Sequence, residues 1–416
     1  MDRDLARAAE LDRRVADVGA SVRVLGHLTW SPEVGERFLA SWARGAPELP
    51  VVEPIPANHR RRIEQLDSIM PACDLDHPVG AYVQRTAASY RDASHMMEAI
   101  GTPDFTRWSI ALYGQPSDRI PGTDLTNLDA ADHVMRCTDG LATACLVRDA
   151  ESTIPATSMV ELIRSRIDRF FGPDTVRVAL DPMLAAKAVA GGTHVRIRRD
   201  ATFSELDVEQ LVQHEAFVHT ATLVNGRRQP NLPTLGLGAP RTTWTQEGLA
   251  TFAELATMAI DLIRLRRIAL RVQAVDHALN GADFIEVFRF FLDAGQPERE
   301  SYQSTMRVFR GGDVRGTIVF TKDIVYLKGL LLTHAFLHKA IEQARPQLLR
   351  LLFAGRLTLG DVVALAPFYD QGWVVPPRFT PDWVTDQRRL AANLTYSVFA
   401  NRIDLDGLAI EDIAAA

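Results

Sequence analysis

The feature that most constrains the fold is a pair of histidines five residues apart, His214 and His219, in the segment HEAFVH. The surrounding residues 205–223 predict one long helix. At about 100° per residue, positions five apart lie roughly 140° apart around a regular α-helix, so their rings cannot meet at one ion. A π-type turn within residues 215–219 would realign them. The spacing therefore predicts either a helix with a local defect that holds a metal, or a regular helix with two unrelated histidines.

A glutamate beside the first histidine gives this helix a chemical meaning. The motif is one residue longer than HExxH, in which two histidines bind zinc and the glutamate acts as general base. Glu215 adjoins an expected ligand and is not needed as a ligand itself, so it can accept a proton from a water that zinc activates. A purely structural metal site would not require this carboxylate. We therefore expect Glu215 to be catalytic.

Two histidines leave a catalytic zinc one protein ligand short. Glu247, in the segment TQEGLA near the start of the next long helix, is the best candidate for the third ligand. Thr243 and Gln246 have capping-box spacing, which would fix the start of that helix. The alternative is that Glu247 only favours the helix N-terminus electrostatically. We expect His214, His219 and Glu247 to hold one Zn²⁺ with one position open.

A second pair of histidines, His334 and His338, lies four residues apart in HAFLH and shares a helical face. It lies in an otherwise apolar helix and has no acidic residue at position 335. We interpret both as partly buried packing residues.

Charge and cysteine content exclude several classes of protein. The chain has 46 Lys and Arg against 52 Asp and Glu, a net charge of −6, whereas a protein that relies on phosphate contacts is normally basic. Nucleic acid is therefore not the expected partner. Cys73, Cys137 and Cys145 have neither the number for a disulfide framework nor CxxC spacing, which fits a reducing compartment.

The sequence gives no clear signal for targeting or for a membrane span. The N-terminus is charged and has no apolar signal core. The longest apolar stretch, residues 325–337, is interrupted by Lys328 and His334 and is too short to span a bilayer. We expect a soluble cytoplasmic protein without a membrane partner.

The first 150 residues predict an N-terminal helical region. Residues 46–57 contain four prolines and predict an extended connector, and residues 113–124 predict a loop. Amphipathic patterns predict helices at residues 4–24, 33–43, 60–70, 80–100 and 129–143.

Residues 151–416 predict a second, mixed unit. After a helix at 158–171, the segments 175–180 and 192–197 are rich in β-branched residues and predict strands, with a short helix or connector at 183–190. Later helices are predicted at residues 245–278, 282–293 and 322–344. A few strands followed by helices predict an α+β fold that is predominantly helical, with a small sheet before the HExxxH helix.

Several blocks together resemble one known family. HEAFVH, NGRRQP at 225–230 and TQEGLA are followed by RVFRG at 307–311 and KDIVYLKG at 322–329. In this order they resemble the microtubule-associated tyrosine carboxypeptidases and their bacterial relatives, the flavohaemoglobin expression-modulating QEGLA-motif proteins. The combination of HExxxH with QEGLA is specific, and the blocks cover roughly residues 200–330.

The resemblance implies a zincin-like metallopeptidase catalytic domain in residues 151–416. It implies that His214, His219 and Glu247 bind zinc and that Glu215 is the catalytic base. It also implies removal of a C-terminal tyrosine or phenylalanine from a protein or peptide. Nothing in the sequence identifies a tubulin partner.

A carboxypeptidase must bind a free C-terminal carboxylate, which is costly to bury without a cationic or multi-donor partner. Arg310 and Lys322 lie in the RxxRG and KDxxYxxG blocks, so we expect them to bind it. Tyr326 shares a helical face with Lys322 and could steady the developing oxyanion or the carboxylate. The alternative is that all three are surface charges and a packing tyrosine.

The leading hypothesis is therefore a zinc carboxypeptidase. A zinc endopeptidase or another amide hydrolase could use the same site. A zinc-bound regulatory protein without turnover is the alternative from a different class. The sequence leaves the oligomeric state and the physiological substrate open.

Overall fold

The computed structural model describes residues 3–143, 153–182, 184 and 187–400. In these ranges the chain is predominantly helical with two small sheets, which fits the predicted α+β class. Cys73 and Cys137 are free, and Cys145 lies outside the described residues. The predicted division at residue 150 also falls outside them and stays a prediction.

The N-terminal part is helical, as predicted, with Pro32 in the first turn of α3. The first predicted helix is shorter than expected and is followed by a separate turn, and α6 was not predicted. Residues 46–57 and 114–124 are not helical. The helices before residue 144 are α1 Arg3–Gly19, α2 Val24–His27, α3 Pro32–Ala43, α4 Arg60–Ile69, α5 Pro78–Glu98, α6 Pro103–Tyr113 and α7 Asn127–Thr143.

A small sheet precedes the segment that carries the two histidines. The helix α8 Ala156–Phe171 leads into β2 Arg177–Asp181, which pairs in parallel with β4 His194–Arg198. The prediction of a helix or connector at 183–190 was wrong at its end: Ala188–Ala190 is the edge strand β3, antiparallel to β4. Within that segment, Met183, Ala185 and Ala186 lie outside the described residues. A two-stranded ladder of β1 Ile154–Pro155 and β5 Thr202–Phe203 completes the strands of the described ranges.

The predicted helix at 245–278 is two helices. The chain leaves the first at Met258, which has a φ of 57°, and Asp261 caps the second by accepting a hydrogen bond from the Arg264 N–H. The predicted Thr243 and Gln246 capping box is also wrong: no side chain of the described residues caps the first helix, and Gln246 accepts a hydrogen bond from Thr222 instead. The helices after residue 204 are α9 Glu205–Leu211, α10 Ala221–Gly226, α11 Thr243–Ala256, α12 Leu262–Leu279, α13 Phe284–Asp293, α14 Glu298–Phe309, α15 Val325–Glu342, α16 Gln347–Leu351, α17 Leu359–Asp370, α18 Asp382–Thr385 and α19 Gln387–Ala400.

Three hydrophobic clusters hold these elements together. One joins α1 and α5 to α11 and α15, and a second joins α5 and α6 to α12, α13 and α14. The third packs α8 against β2, β4 and the histidine segment. Because burial of apolar side chains is the main stabilising term, the N-terminal helices are part of the framework around the site.

The backbones of α11 and α15 touch at two glycines. A Cβ atom added to Gly248 would lie 2.2 Å from the carbonyl carbon and oxygen of Gly329. Such an approach requires residues without side chains. The glycine of the QEGLA motif therefore sets the distance between the two helices, and with it the position of Glu247.

One stretch of the described chain, Thr321–Glu342, is long and apolar enough to cross a membrane by length and composition alone. It is longer than the apolar run recognised in the sequence. Half of it is buried inside the protein, where it packs on α11. A core helix meets the same criterion.

Candidate metal and catalytic site

The two histidines lie in a π-helix, Val212–Thr220, between α9 and α10. The capping box of Ser204 with Asp207 starts α9. In a π-helix the backbone bonds link residues five apart, so His214 and His219 come to the same side. Their ring centroids lie 4.8 Å apart. The predicted π-type irregularity is confirmed.

Glu247 of α11 completes a cluster with both histidines. Its Oε2 atom lies 3.4 Å from Nε2 of His214 and 3.4 Å from Nε2 of His219. Each of the three residues offers one ligand atom, and these atoms lie within 4.8 Å of one another. The structure thus brings together the three residues that the sequence pointed to as ligands.

Glu254, the second carboxylate of α11, contacts His214 at Nδ1, the ring nitrogen that does not face Glu247. Its Oε1 atom lies 2.6 Å from Nδ1 of His214, and Arg264 and Gln210 donate hydrogen bonds to the same carboxylate. Sequence reasoning missed Glu254. A signal was available, since it follows Glu247 by two helical turns and so shares its face.

The other oxygen of Glu247 has its own partner. Lys322 Nζ donates to Glu247 Oε1 at 3.0 Å, so the carboxylate contacts the histidines with one oxygen and Lys322 with the other. Burial raises the pKa of Glu247, but Lys322 and the two histidines together hold it well below its usual value. The carboxylate is therefore ionised, as a metal ligand must be.

Opposing effects also set the pKa of His214 and of Glu254. Burial lowers the pKa of His214, but hydrogen bonds to Glu247 and Glu254 outweigh it and raise the pKa to about 10. Burial raises the pKa of Glu254, whereas Arg264 and His214 lower it to about 2. The surroundings thus favour positive charge between the two carboxylates.

Glu215 lies beside this cluster and not within it. It lines a cavity together with His214 and Tyr326, and its Oε2 atom accepts a hydrogen bond from the N–H of Ala190 at 2.8 Å. That contact ties the edge strand β3 to the π-helix. The carboxylate is therefore held at the wall of this cavity.

The three expected substrate-binding residues have different surroundings. Lys322 is buried and engaged by Glu247. Tyr326 lines the cavity, and its hydroxyl accepts a hydrogen bond from Arg307 at 3.3 Å. Arg310 is buried with its guanidinium 5.2 Å from the centre of the Phe320 ring and does not line the cavity. The structure brings Lys322 and Tyr326 to the cluster but not Arg310.

The histidines of HAFLH lie apart from the cluster. His334 is half-buried on α15, where its Nε2 atom lies 2.9 Å from the Ser397 hydroxyl. Among the described residues, the group that could hold a metal is that of His214, His219 and Glu247. The contacts of His334 fit the interpretation as a packing residue.

The donor set has the chemistry that zinc requires. Imidazole nitrogens and a carboxylate oxygen are zinc ligands, and three such ligands characterise catalytic sites. The hydrogen bond between Nδ1 of His214 and Glu254 leaves Nε2 of His214 facing Glu247. Histidines that bind metals are commonly oriented by such a bond to the other ring nitrogen. The residues present therefore fit the metal.

Comparison with protein families gives a match that covers most of the chain. No curated protein matches the chain. The family model described as microtubule-associated tyrosine carboxypeptidase matches residues 36–402, which include the whole cluster and Glu215. This match implies tyrosine carboxypeptidase-like activity on protein C-termini. The chain belongs to the microtubule-associated tyrosine carboxypeptidase family.

Proposed function

We propose that the protein is a zinc-dependent carboxypeptidase that removes a C-terminal tyrosine or phenylalanine from a protein or peptide. The observation that carries this proposal is the cluster of His214, His219 and Glu247 with Glu215 at the wall of the adjoining cavity. Three protein ligands leave one position for water or substrate. A structural zinc site would instead be closed by a fourth ligand.

The proposal includes a zincin-like catalytic domain. A small sheet precedes the helix that carries two of the proposed ligands and the proposed base, and the third ligand comes from a later helix. The edge strand β3 contacts the base directly through Ala190. These relationships support the zincin-like assignment.

In the proposed reaction a water attacks the carbonyl carbon of the last peptide bond. Bound zinc would supply a Lewis acid that polarises this carbonyl and makes water a better nucleophile at neutral pH. Glu215 accepts the proton that the water loses and delivers it to the nitrogen of the leaving amino acid. The Tyr326 hydroxyl, which lines the same cavity, donates a hydrogen bond to the oxygen on which charge develops.

The proposed substrate preference and location are supported by the family match and by the composition, and not by the geometry of the site. The family match supports the proposed preference for an aromatic residue. A cytoplasmic location without a nucleic-acid partner is favoured by the net charge of −6 and the low cysteine content.

Hydrolysis of matched peptides tests the proposal. Two peptides ending in tyrosine, one with a free carboxylate and one with a C-terminal amide, are incubated with the protein, with and without a chelator. Release of tyrosine from the free peptide alone, lost with chelator and restored by zinc, supports the proposal. Equal cleavage of both peptides at internal bonds would identify an endopeptidase, and no cleavage of either would favour a non-catalytic zinc protein.

A further inference from the structure

The cavity beside His214 and Glu215 is rich in arginine. Three of these arginines come from α12, at positions 264, 267 and 271. Their spacing of three and then four residues puts them on one helical face. A row of charges along a helix usually faces solvent, but this row faces a cavity that also contains the proposed catalytic base.

Two arginines of the cavity are fully engaged by carboxylates. Arg264 donates twice to Glu254, with distances of 3.0 and 3.1 Å. Arg307 of α14 donates to both oxygens of Asp323, at 2.5 and 2.7 Å. Both guanidinium groups are therefore already hydrogen-bonded to carboxylates of the protein.

Arg267 and Arg271 are not engaged in this way. In the described part of the chain, the Nε atom of each is buried without a hydrogen-bond partner. Arg271 approaches Asp323 only to 3.9 Å, and its guanidinium lies 5.0 Å from the centre of the Tyr326 ring. Burial and the neighbouring Arg307 lower the pKa of Arg271 to about 10, which agrees with the long distance to its nearest carboxylate. An anion in the cavity would relieve the cost of burying this charge.

We propose that Arg267 and Arg271 bind the α-carboxylate of the substrate's C-terminal residue. This inference rests on the proposed carboxypeptidase function. The carboxylate is one residue from the bond that breaks, so both must fit the cavity that Glu215 lines. A guanidinium fork matches a carboxylate through two hydrogen bonds.

The assignment differs from the one that the motifs suggested. Lys322 already contacts Glu247, and Arg310 lies over Phe320 outside the cavity. Arg310 shares with Arg271 a buried Nε atom that has no hydrogen-bond partner among the described residues, and a pKa that burial lowers to about 10. The two arginines therefore differ mainly in access to the cavity, which makes them a direct comparison.

The test measures kcat/KM on peptides with a free and an amidated C-terminal tyrosine. For Arg267→Gln and Arg271→Gln we expect kcat/KM on the free peptide to fall by about 30-fold or more, chiefly through KM, and any residual cleavage of the amidated peptide to change little. Arg271→Lys keeps the charge but loses the fork, so it should recover part of the preference. Arg266→Gln is the matched control from the same helix, because Arg266 pairs with Asp139 of α7. Its preference for the free peptide should be that of the wild type.

A binding measurement keeps the test independent of turnover. In a Glu215→Gln background, calorimetry with the free peptide should show weaker binding when Arg271→Gln is added, and Arg310→Gln should leave the affinity unchanged. Loss of the preference in Arg310→Gln, with Arg267→Gln and Arg271→Gln both retaining it, would overturn the inference while the carboxypeptidase proposal stands. A wild-type protein without preference for the free carboxylate would overturn the proposed function itself.

Discussion

The carboxylate of Glu254 lies 2.6 Å from Nδ1 of His214, on the side of the ring opposite Glu247. Arg264 holds the same carboxylate from α12. The orientation of one proposed ligand is thus determined by a residue outside the proposed ligand set. Such outer contacts usually contribute strongly to metal affinity.

We expect Glu254→Gln to weaken zinc binding by about 10- to 100-fold, because the amide cannot stabilise the ring as a carboxylate does. Competition with a chromophoric chelator measures the affinity. The exposed Glu161→Gln, which loses only a surface contact with Arg164, serves as control. Equal affinity in wild type and Glu254→Gln would contradict a positioning role.

Zinc content gives a second prediction. The wild-type protein should contain about one zinc per chain and His219→Ala close to none, because two remaining ligands are too few for a stable site. Metal analysis after dialysis provides the measurement. His338→Ala, from the other histidine pair, should retain the metal. A zinc content that is low and the same in wild type and His219→Ala would contradict the proposed ligand set.

The contact between α11 and α15 at Gly248 gives a third prediction. A methyl group there meets the Gly329 backbone at 2.2 Å, so Gly248→Ala must separate α11 from α15. We expect a loss of about 1–3 kcal/mol in the free energy of unfolding, and weaker zinc binding as Glu247 shifts. Denaturant unfolding measures the stability. An added methyl at Gly26, in α2, meets no atom of the described residues within 4 Å, so Gly26→Ala should be neutral or slightly stabilising. Equal stability of both variants would contradict the close packing.

The parts of the site formed by residues close together in the sequence could be predicted from the sequence. The five-residue spacing of His214 and His219 required a π-type turn, and one is present. Glu254 and the arginine row of α12 became visible only through tertiary packing, because sequence periodicity does not distinguish charges facing a cavity from charges facing solvent.

The fold likewise has elements that the sequence predicts and elements that it does not. Strands at 177–181 and 194–198 followed from β-branched residues, and the helices before residue 144 other than α2 and α6 followed from amphipathic spacing. The end of α11 did not, because Met258 adopts a positive φ that its residue type does not predict. The edge strand Ala188–Ala190 has little strand propensity and is held by its pairing with β4.

The buried Asp12 gives a fourth prediction, on pH. Its carboxylate accepts hydrogen bonds from the Thr234 N–H and hydroxyl, but burial dominates and raises its pKa to about 7. The folded state therefore holds the proton more tightly than the unfolded state. Stability from this group is fully present below about pH 4 and is lost as pH rises toward 7, by a few kcal/mol.

Urea unfolding of wild type and Asp12→Asn between pH 4.5 and 8 tests this effect. Other groups titrate equally in both proteins, so the difference isolates Asp12. We expect the wild type to lose stability relative to the variant as pH rises, with no further change above about pH 8. Parallel pH profiles would mean that Asp12 is already ionised in the folded protein throughout this range.

The most direct test of the central claim is tyrosine release by Glu215→Gln. Glutamine keeps the shape of the side chain but cannot take the proton from water. We expect zinc content and peptide affinity to match the wild type, and the rate of tyrosine release from a free-carboxylate peptide to fall by about 100-fold or more. A zinc-loaded Glu215→Gln protein that releases tyrosine at nearly the wild-type rate would contradict the account.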